Sequence, residues 1–415
     1  GTDLLSLEAN NKWAMFPSVS LAWRISEEKF MEEQSVFQDL KLRIGYGQSG
    51  NQNIDPYTSQ RLYGPQSSQF MYNGEWINSY GVSQNPNPDL KWETTAMTNI
   101  GLDYTIWEGR VSGTLDFYNK ETKDMLYKYN VPSPPYQYNQ LLANGASMTN
   151  RGVEFMVNVV AVDRPDFSWT TNFNVAYNKN EIGSLDSNVD NLSISERYEG
   201  TMYLEGWTAQ TVSIVKPGLP IGTFYTYKYM GYDAKQQKTL YENAAGEIVT
   251  IDKLKSPDDY QVVGSALPKV TFGWNNTFRY KRWDLNFFLR GVTGNKIFNA
   301  SRADLSRLTQ AAICNISHEA VEDGIMEAPQ PSSRWLENGS FLKLDNVTLG
   351  YQFDTEKMPG INNLRVYITG QNLFTITKYT GIDPEVSLSG LAPGIDNRNY
   401  YPKTRSFLLG VNISF

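Results

Sequence analysis

The last ten residues constrain this chain more than any other stretch. Phe407, Leu409, Val411, Ile413 and Phe415 alternate with Ser406, Gly410, Asn412 and Ser414, and Leu408 is the one apolar exception. A period of two places the apolar set on one face of a strand and the polar set on the other. A strand of this length that ends on an aromatic side chain suits the closing strand of a bacterial outer-membrane barrel.

The alternation recurs along the chain. Val19, Leu21, Trp23 and Ile25 share a face, as do Leu40, Leu42, Ile44 and Tyr46. Ile100, Leu102, Tyr104 and Ile106 follow, then Val111, Gly113, Leu115 and Phe117, then Val153, Phe155, Val157 and Val159. Phe167, Trp169, Phe173, Val175 and Tyr177 oppose Ser168, Thr170, Asn172 and Asn174. Val270, Phe272, Trp274, Phe278 and Tyr280 make the next set, and Trp283, Leu285, Phe287 and Leu289 the one after. Segment 341–351 alternates with a change of phase near Asp345, which predicts a β-bulge. Segment 364–374 and the terminal strand bring the set to eleven.

The links between these segments are sorted by length. Turns at Glu108-Gly109, Arg164-Pro165 and Lys281-Arg282 are short, whereas 47–97, 118–152, 178–269, 290–340 and 375–404 are long. Every second link is long, which matches short periplasmic turns and long extracellular loops. The strand-like stretch 221–232 falls inside a long loop and is placed outside the barrel. The fold class expected is therefore all-β, a transmembrane antiparallel barrel. Eleven strands are half of 22, the size of plugged outer-membrane transporters. A half barrel on its own would leave two strand edges unpaired in lipid. The expectation is that 1–415 forms the C-terminal half of a barrel whose plug and N-terminal strands are absent from it.

Cost assigns the faces. A Lys or Arg turned to lipid at the midplane costs about 2–4 kcal/mol. Arg24, Lys41, Arg43, Asp103, Asp116, Glu154, Arg279, Asp284 and Arg290 all oppose the apolar faces, so they are expected to line the lumen.

Composition closes other routes. No run of about 18 apolar residues occurs, which excludes a helical membrane protein. One cysteine, Cys314, excludes an intrachain disulfide framework, and one histidine, His318, excludes a multi-histidine metal site. A net charge of −7 argues against nucleic acid as a partner. Residues 1–6, Gly-Thr-Asp-Leu-Leu-Ser, carry no Met, basic region or apolar stretch and are not a signal peptide. No cofactor is expected.

Several ordered stretches resemble one family, the SusC/RagA-type TonB-dependent transporters of Bacteroidetes. Phe16-Pro17-Ser18-Val19-Ser20 with Ala22-Trp23-Arg24-Ile25-Ser26-Glu27-Glu28 is similar to the family's F-P-S-x-S-x-x-W-R-I-S-E-E segment. Leu40-Lys41-Leu42-Arg43, Tyr46-Gly47 and Ser49-Gly50-Asn51-Gln52 resemble its next strand and loop. Leu90-Lys91-Trp92-Glu93, Asn99-Ile100-Gly101-Leu102-Asp103 and Asn150-Arg151-Gly152-Val153-Glu154 follow in order. Gly370-Gln371-Asn372-Leu373-Phe374, Tyr379-Thr380-Gly381 and Asp383-Pro384-Glu385 resemble its near-terminal signature, and Tyr401-Pro402, Arg405 and Phe415 complete it.

The resemblance implies non-enzymatic active import of a large nutrient, a glycan or an oligopeptide, across the outer membrane of a Gram-negative bacterium. It implies a SusD-like surface lipoprotein as a lid, and the TonB complex acting through a segment absent from 1–415. A passive porin-like barrel and a surface glycan-binding β-protein are the competing classes. Loop aromatics are candidate substrate contacts, because rings can pack on sugar faces while placed polar groups bond hydroxyls. Tyr136, Tyr203 and Trp207 are singled out among them. Such rings also pack loops together. Cys314 and His318, four apart, could share a helix face, but an ordinary surface pair is the expectation. Asp252, Asp258 and Asp259 do not have EF-hand spacing and read as a solvated acidic turn.

Overall fold

The computed structural model describes residues 11–415 apart from 12, 52–54, 188, 190–193, 203–209 and 398–400. Eleven strands form one antiparallel sheet in chain order. They are β1 (Ser18–Arg24), β2 (Phe37–Asn51), β3 (Glu93–Ile106), β4 (Val111–Asn130), β5 (Gln140–Arg164) and β6 (Phe167–Ser184). The rest are β7 (Val270–Tyr280), β8 (Trp283–Thr293), β9 (Phe341–Gln352), β10 (Asn363–Thr377) and β11 (Ser406–Ser414). These are the eleven segments that the alternation predicts. Ile25 departs from expectation: it opens a 3-10 turn, Ile25–Glu27, instead of ending β1.

Register makes the two faces continuous. Leu21, Ile44, Ile100, Phe117, Val153 and Tyr177 lie side by side across six strands. Trp23, Leu42, Leu102, Leu115, Phe155, Val175 and Phe272 make the adjacent row. In the first row Leu21 is 68 %, Ile100 45 % and Phe117 49 % exposed. A contiguous apolar surface of this extent marks contact with lipid or a partner. The opposite face carries Arg43, Gly101, Asp116 and Glu154 in one row, and Asn158, Asn172 and Asn275 in another.

The phase change near Asp345 is a bulge on both sides of β9: pairing skips between Phe288 and Leu289 and between Leu344 and Asn346. The extra residue keeps Leu342 and Leu344 on the same face as Val347 and Leu349.

One expectation about loops is corrected. The stretch 118–152 is mostly strand, because β4 runs 20 residues and β5 runs 25, leaving only 131–139 as the connection. About 9–11 residues suffice to cross a membrane. The surplus stands beyond the apolar belt, where Tyr127, Tyr129, Leu141 and Ala143 are buried by loops. Packing on both faces removes the alternation, so this part reads as loop in sequence. Segment 221–232 lies outside the barrel sheet, split between two small loop sheets at Thr223–Thr226 and Lys228–Asp233.

Placing a charge on the apolar belt separates the faces. In the full-length protein, Leu102→Arg is expected to cost about 2–4 kcal/mol, whereas Thr114→Arg, beside Asp103 on the other face, leaves stability nearly unchanged. Urea titration of folding into phospholipid vesicles reads both.

Candidate functional site

The polar face is organised by ion pairs across strands. Arg43 on β2 donates from Nε to both Asp103 oxygens at 2.9 Å and from Nη2 to Asp116 at 3.0 Å. Lys41 adds a contact to Asp103 at 3.4 Å. Asp116 lies two strands from Arg43, with Gly101 between them in register. A Cβ at Gly101 would sit 2.3 Å from the Asp116 Oδ1, so only glycine leaves the bridge its path. Farther round, Arg365 on β10 grips Asp284 on β8 at 2.9 and 2.5 Å. Gly350 stands between them and would place a Cβ 2.5 Å from both. Arg24 pairs with Asp39 at 3.3 Å. Glu154 neighbours Asp116 in register, and Arg279 neighbours Asp284. All of the charged residues expected to face the lumen thus share one face of the sheet.

A third cluster ties the β10–β11 connection to this face. Arg290 on β8 contacts Asp345 at 2.7 Å and Glu385 at 2.5 Å. Lys343 on β9, nearly wholly buried, contacts Glu385 at 2.5 Å and Asp383 at 3.5 Å. Lys403 reaches Glu385 at 2.5 Å. Three cations meet three carboxylates, so the cluster is formally neutral. Burial pushes the Glu385 carboxyl up, but hydrogen bonds from Arg290, Lys343 and Lys403 outweigh it and hold it well below the ordinary range.

The same connection is anchored at other points. Thr380 donates its N–H to Glu337 at 2.7 Å. Buried Tyr379 donates its hydroxyl to buried Asp396. Desolvation raises the Asp396 carboxyl above its usual range. Ile395–Asp396 adds a short parallel strand to Lys296–Asn299, and Leu391 packs on the cluster of Tyr127, Tyr129 and Ala143. The near-terminal motif therefore supplies the feet on which this loop stands. Its sequence contains those residues but not their partners, which lie on other strands.

Loop aromatics divide by place. Tyr227, Tyr241 and Tyr260 form a buried cluster flanked by Tyr225 and Tyr229, so these rings pack loops together. Burial pushes the Tyr241 hydroxyl up to about 12. Tyr72, Trp76 and Tyr80 stand exposed on a hairpin of Leu62–Tyr72 and Glu75–Gln84. Tyr203 and Trp207 lie outside the described residues. Tyr136 is half-buried with its N–H on Pro132. A cavity of about 880 Å³ opens at the long-loop end and is lined by Tyr127 and Tyr138. Tyr136 is not among its lining residues, whereas Tyr138, two positions on in the same loop, is.

The remaining constellations do ordinary work. The helix His318–Asp323 begins at His318 with Ser317 as its N-cap, so Cys314 shares no helix face with it. His318 pairs with Glu322 at 3.1 Å. Asp259 accepts the N–H groups of Ala244 at 2.8 Å and Lys255 at 2.7 Å, closing turns.

The chain matches the family described as TonB dependent receptor-like, beta-barrel over residues 2–373. It is 34 % identical to TonB-dependent receptor SusC of Bacteroides thetaiotaomicron over 98 % of this chain and 40 % of that protein. It is 31 % identical to TonB-dependent receptor P26 of Formosa agariphila over 98 % of this chain and 43 % of that protein. Among solved structures it is similar to the RagAB peptide transporter, with 27 % identity and a TM-score of 0.82 over 99 % of this chain and 44 % of that one. The same values hold for the RagAB peptide importer in its closed-closed state. The chain thus spans less than half the length of these relatives, and its place is the outer membrane of a Gram-negative bacterium. An eleven-stranded sheet with one apolar and one charged face, set beside these likenesses, places the chain in the TonB-dependent receptor β-barrel family, among its SusC/RagA-type members.

Proposed function

We propose that this chain supplies the C-terminal eleven strands of a 22-stranded barrel that actively imports a large nutrient, a glycan or an oligopeptide. TonB energises the uptake, and a SusD-like surface lipoprotein covers the long loops. The observation that carries this reading is the two-faced sheet. Its apolar belt meets lipid, and its charged face, with Arg24, Arg43, Asp103, Asp116, Glu154, Arg279, Asp284 and Arg290, borders the lumen. β1 and β11 each have one strand partner among the described residues, which supports completion of the cylinder by further strands. A barrel this wide would be an aqueous hole unless plugged, which favours energised uptake over passive flow. Relatives named as TonB-dependent receptors and as a peptide transporter support the same reading. Transport of this kind needs binding, lid closure and plug movement, and no covalent chemistry.

The β10–β11 loop is a fixed part of the entrance. The Glu385 cluster clamps one side of it, and Leu391 docks the other.

Two outcomes follow. Collapsing the proton gradient of the inner membrane is expected to abolish accumulation of the substrate by cells expressing the full-length protein. Uptake that continues down its gradient after collapse identifies a passive porin instead. The second concerns the clamp. Glu385 titrates below its unfolded value of about 4.3, so its stabilisation is complete above that pH and is lost only as pH falls through the depressed value. Hydrogen exchange of 381–388, the clamped side of the loop away from Asp396, corrected for intrinsic rates, is expected to be equal at pH 7 and pH 5. Glu385→Gln, which leaves Lys343 buried without its closest anion, is expected to cost about 3 kcal/mol and to speed exchange at both pH values.

A further inference from the structure

We infer that the cavity at the long-loop end is an oligopeptide site. The inference deepens the import reading and rests on it. The cavity is built where β4 and β5 extend past the apolar belt, and Asn51 and Glu93 at the ends of β2 and β3 border it. Arg197 and Leu391 contribute from two other loops. Its volume of about 880 Å³ falls within the range of about 300–1,000 Å³ typical of ligand clefts.

The lining has the chemistry of a peptide complement. Leu126, Leu142 and Leu391 offer aliphatic surface for apolar side chains. Lys128 offers positive charge, with Arg197 near it in the lining, and Asp55 and Glu93 bring negative charge to the same cavity. Arg197 is held in place by Glu199 and by a bond to the Lys128 carbonyl at 3.3 Å. Lys128 and Glu93 have no ion-pair partner among the described residues. A ligand with a free carboxylate at one end and an ammonium at the other answers both signs. A neutral ligand would dry those charges without replacing their water.

Two of the groups a glycan would use are already engaged. The Tyr127 ring is covered by the Arg197 guanidinium at 5.0 Å and met edge-on by Tyr129 at 5.2 Å. Among the described residues that leaves Tyr138 as the one lining ring free to stack on a sugar. The Gln84 amide donates to the carbonyls of Tyr57, Thr58 and Gln60 at 3.1, 2.8 and 2.8 Å, so its donors serve its own loop and not hydroxyls.

The test uses the full-length transporter purified in detergent. It is offered a randomised hexapeptide pool with free termini, the same pool blocked at both ends, and maltohexaose. Retained ligand is measured by mass spectrometry. The free pool is expected to be retained, and end-blocking is expected to lower retention at least tenfold. Lys128→Glu and Glu93→Lys are each expected to lower it similarly, and Lys128→Gln, a milder change at an exposed position, less so. Heat-modifiability on a gel confirms that each variant is folded. Maltohexaose retention that the same variants abolish overturns the substrate class. Peptide retention indifferent to the three variants overturns the site, as does retention of neither ligand. Peptide retention without gradient-dependent uptake leaves the site standing and defeats the import reading. Gradient-dependent uptake without peptide retention does the reverse.

Discussion

Hydrocarbon offers no partner to a backbone N–H or C=O, and each such group left alone in lipid costs several kcal/mol. That constraint fixes the rest of this molecule. It requires a continuous ladder, and β7 is paired with β6 and with β8 through all of its eleven residues. A continuous ladder imposes a side-chain period of two, and the period sorts the residues into an apolar surface and a polar one. Where the chain needs an extra residue, as at Asp345, the ladder takes it as a bulge so that the apolar surface stays whole.

The polar surface then has its own problem, because side chains on adjacent strands are close and many are charged. The solution is repeated. Arg43 reaches Asp116 over Gly101, and Arg365 reaches Asp284 over Gly350. In both cases a cation and an anion on outer strands meet above a glycine on the strand between them. The glycines serve by lacking a Cβ, not by backbone freedom. Cross-strand charge pairs of this kind stitch three strands at once, which neighbouring pairs alone cannot do.

The barrel was legible in the sequence because its physics is local. Leu40, Leu42 and Ile44 declare a strand by spacing alone, and so do the residues of the closing strand. The strand extensions were not legible. Leu141, Leu142 and Ala143 are buried or half-buried together by loops on one side and neighbours on the other, so no alternation survives. The loop clamp was half legible. Asp383 and Glu385 stood out as part of a family-like motif, but their partners are distant in the chain: Arg290 read only as a wall charge, and Lys343 carried no signal of its own. The cavity was missed for the same reason. Glu93 opens β3 while Arg197 and Leu391 come from two separate loops, and only folding brings them to one surface.

Which face of the sheet meets lipid decides whether this chain is a barrel wall, and nitroxide accessibility measures that most directly. Spin labels at Leu102, Leu115, Phe155 and Val175 in the full-length protein in bilayers are compared with labels at Asp103, Thr114, Met156 and Asn174. The first set is predicted to relax with dissolved oxygen and to ignore a water-soluble nickel chelate, and the second set to do the opposite. Equal access of the chelate to both sets, or the reverse assignment, contradicts a lipid-facing belt and the barrel reading with it.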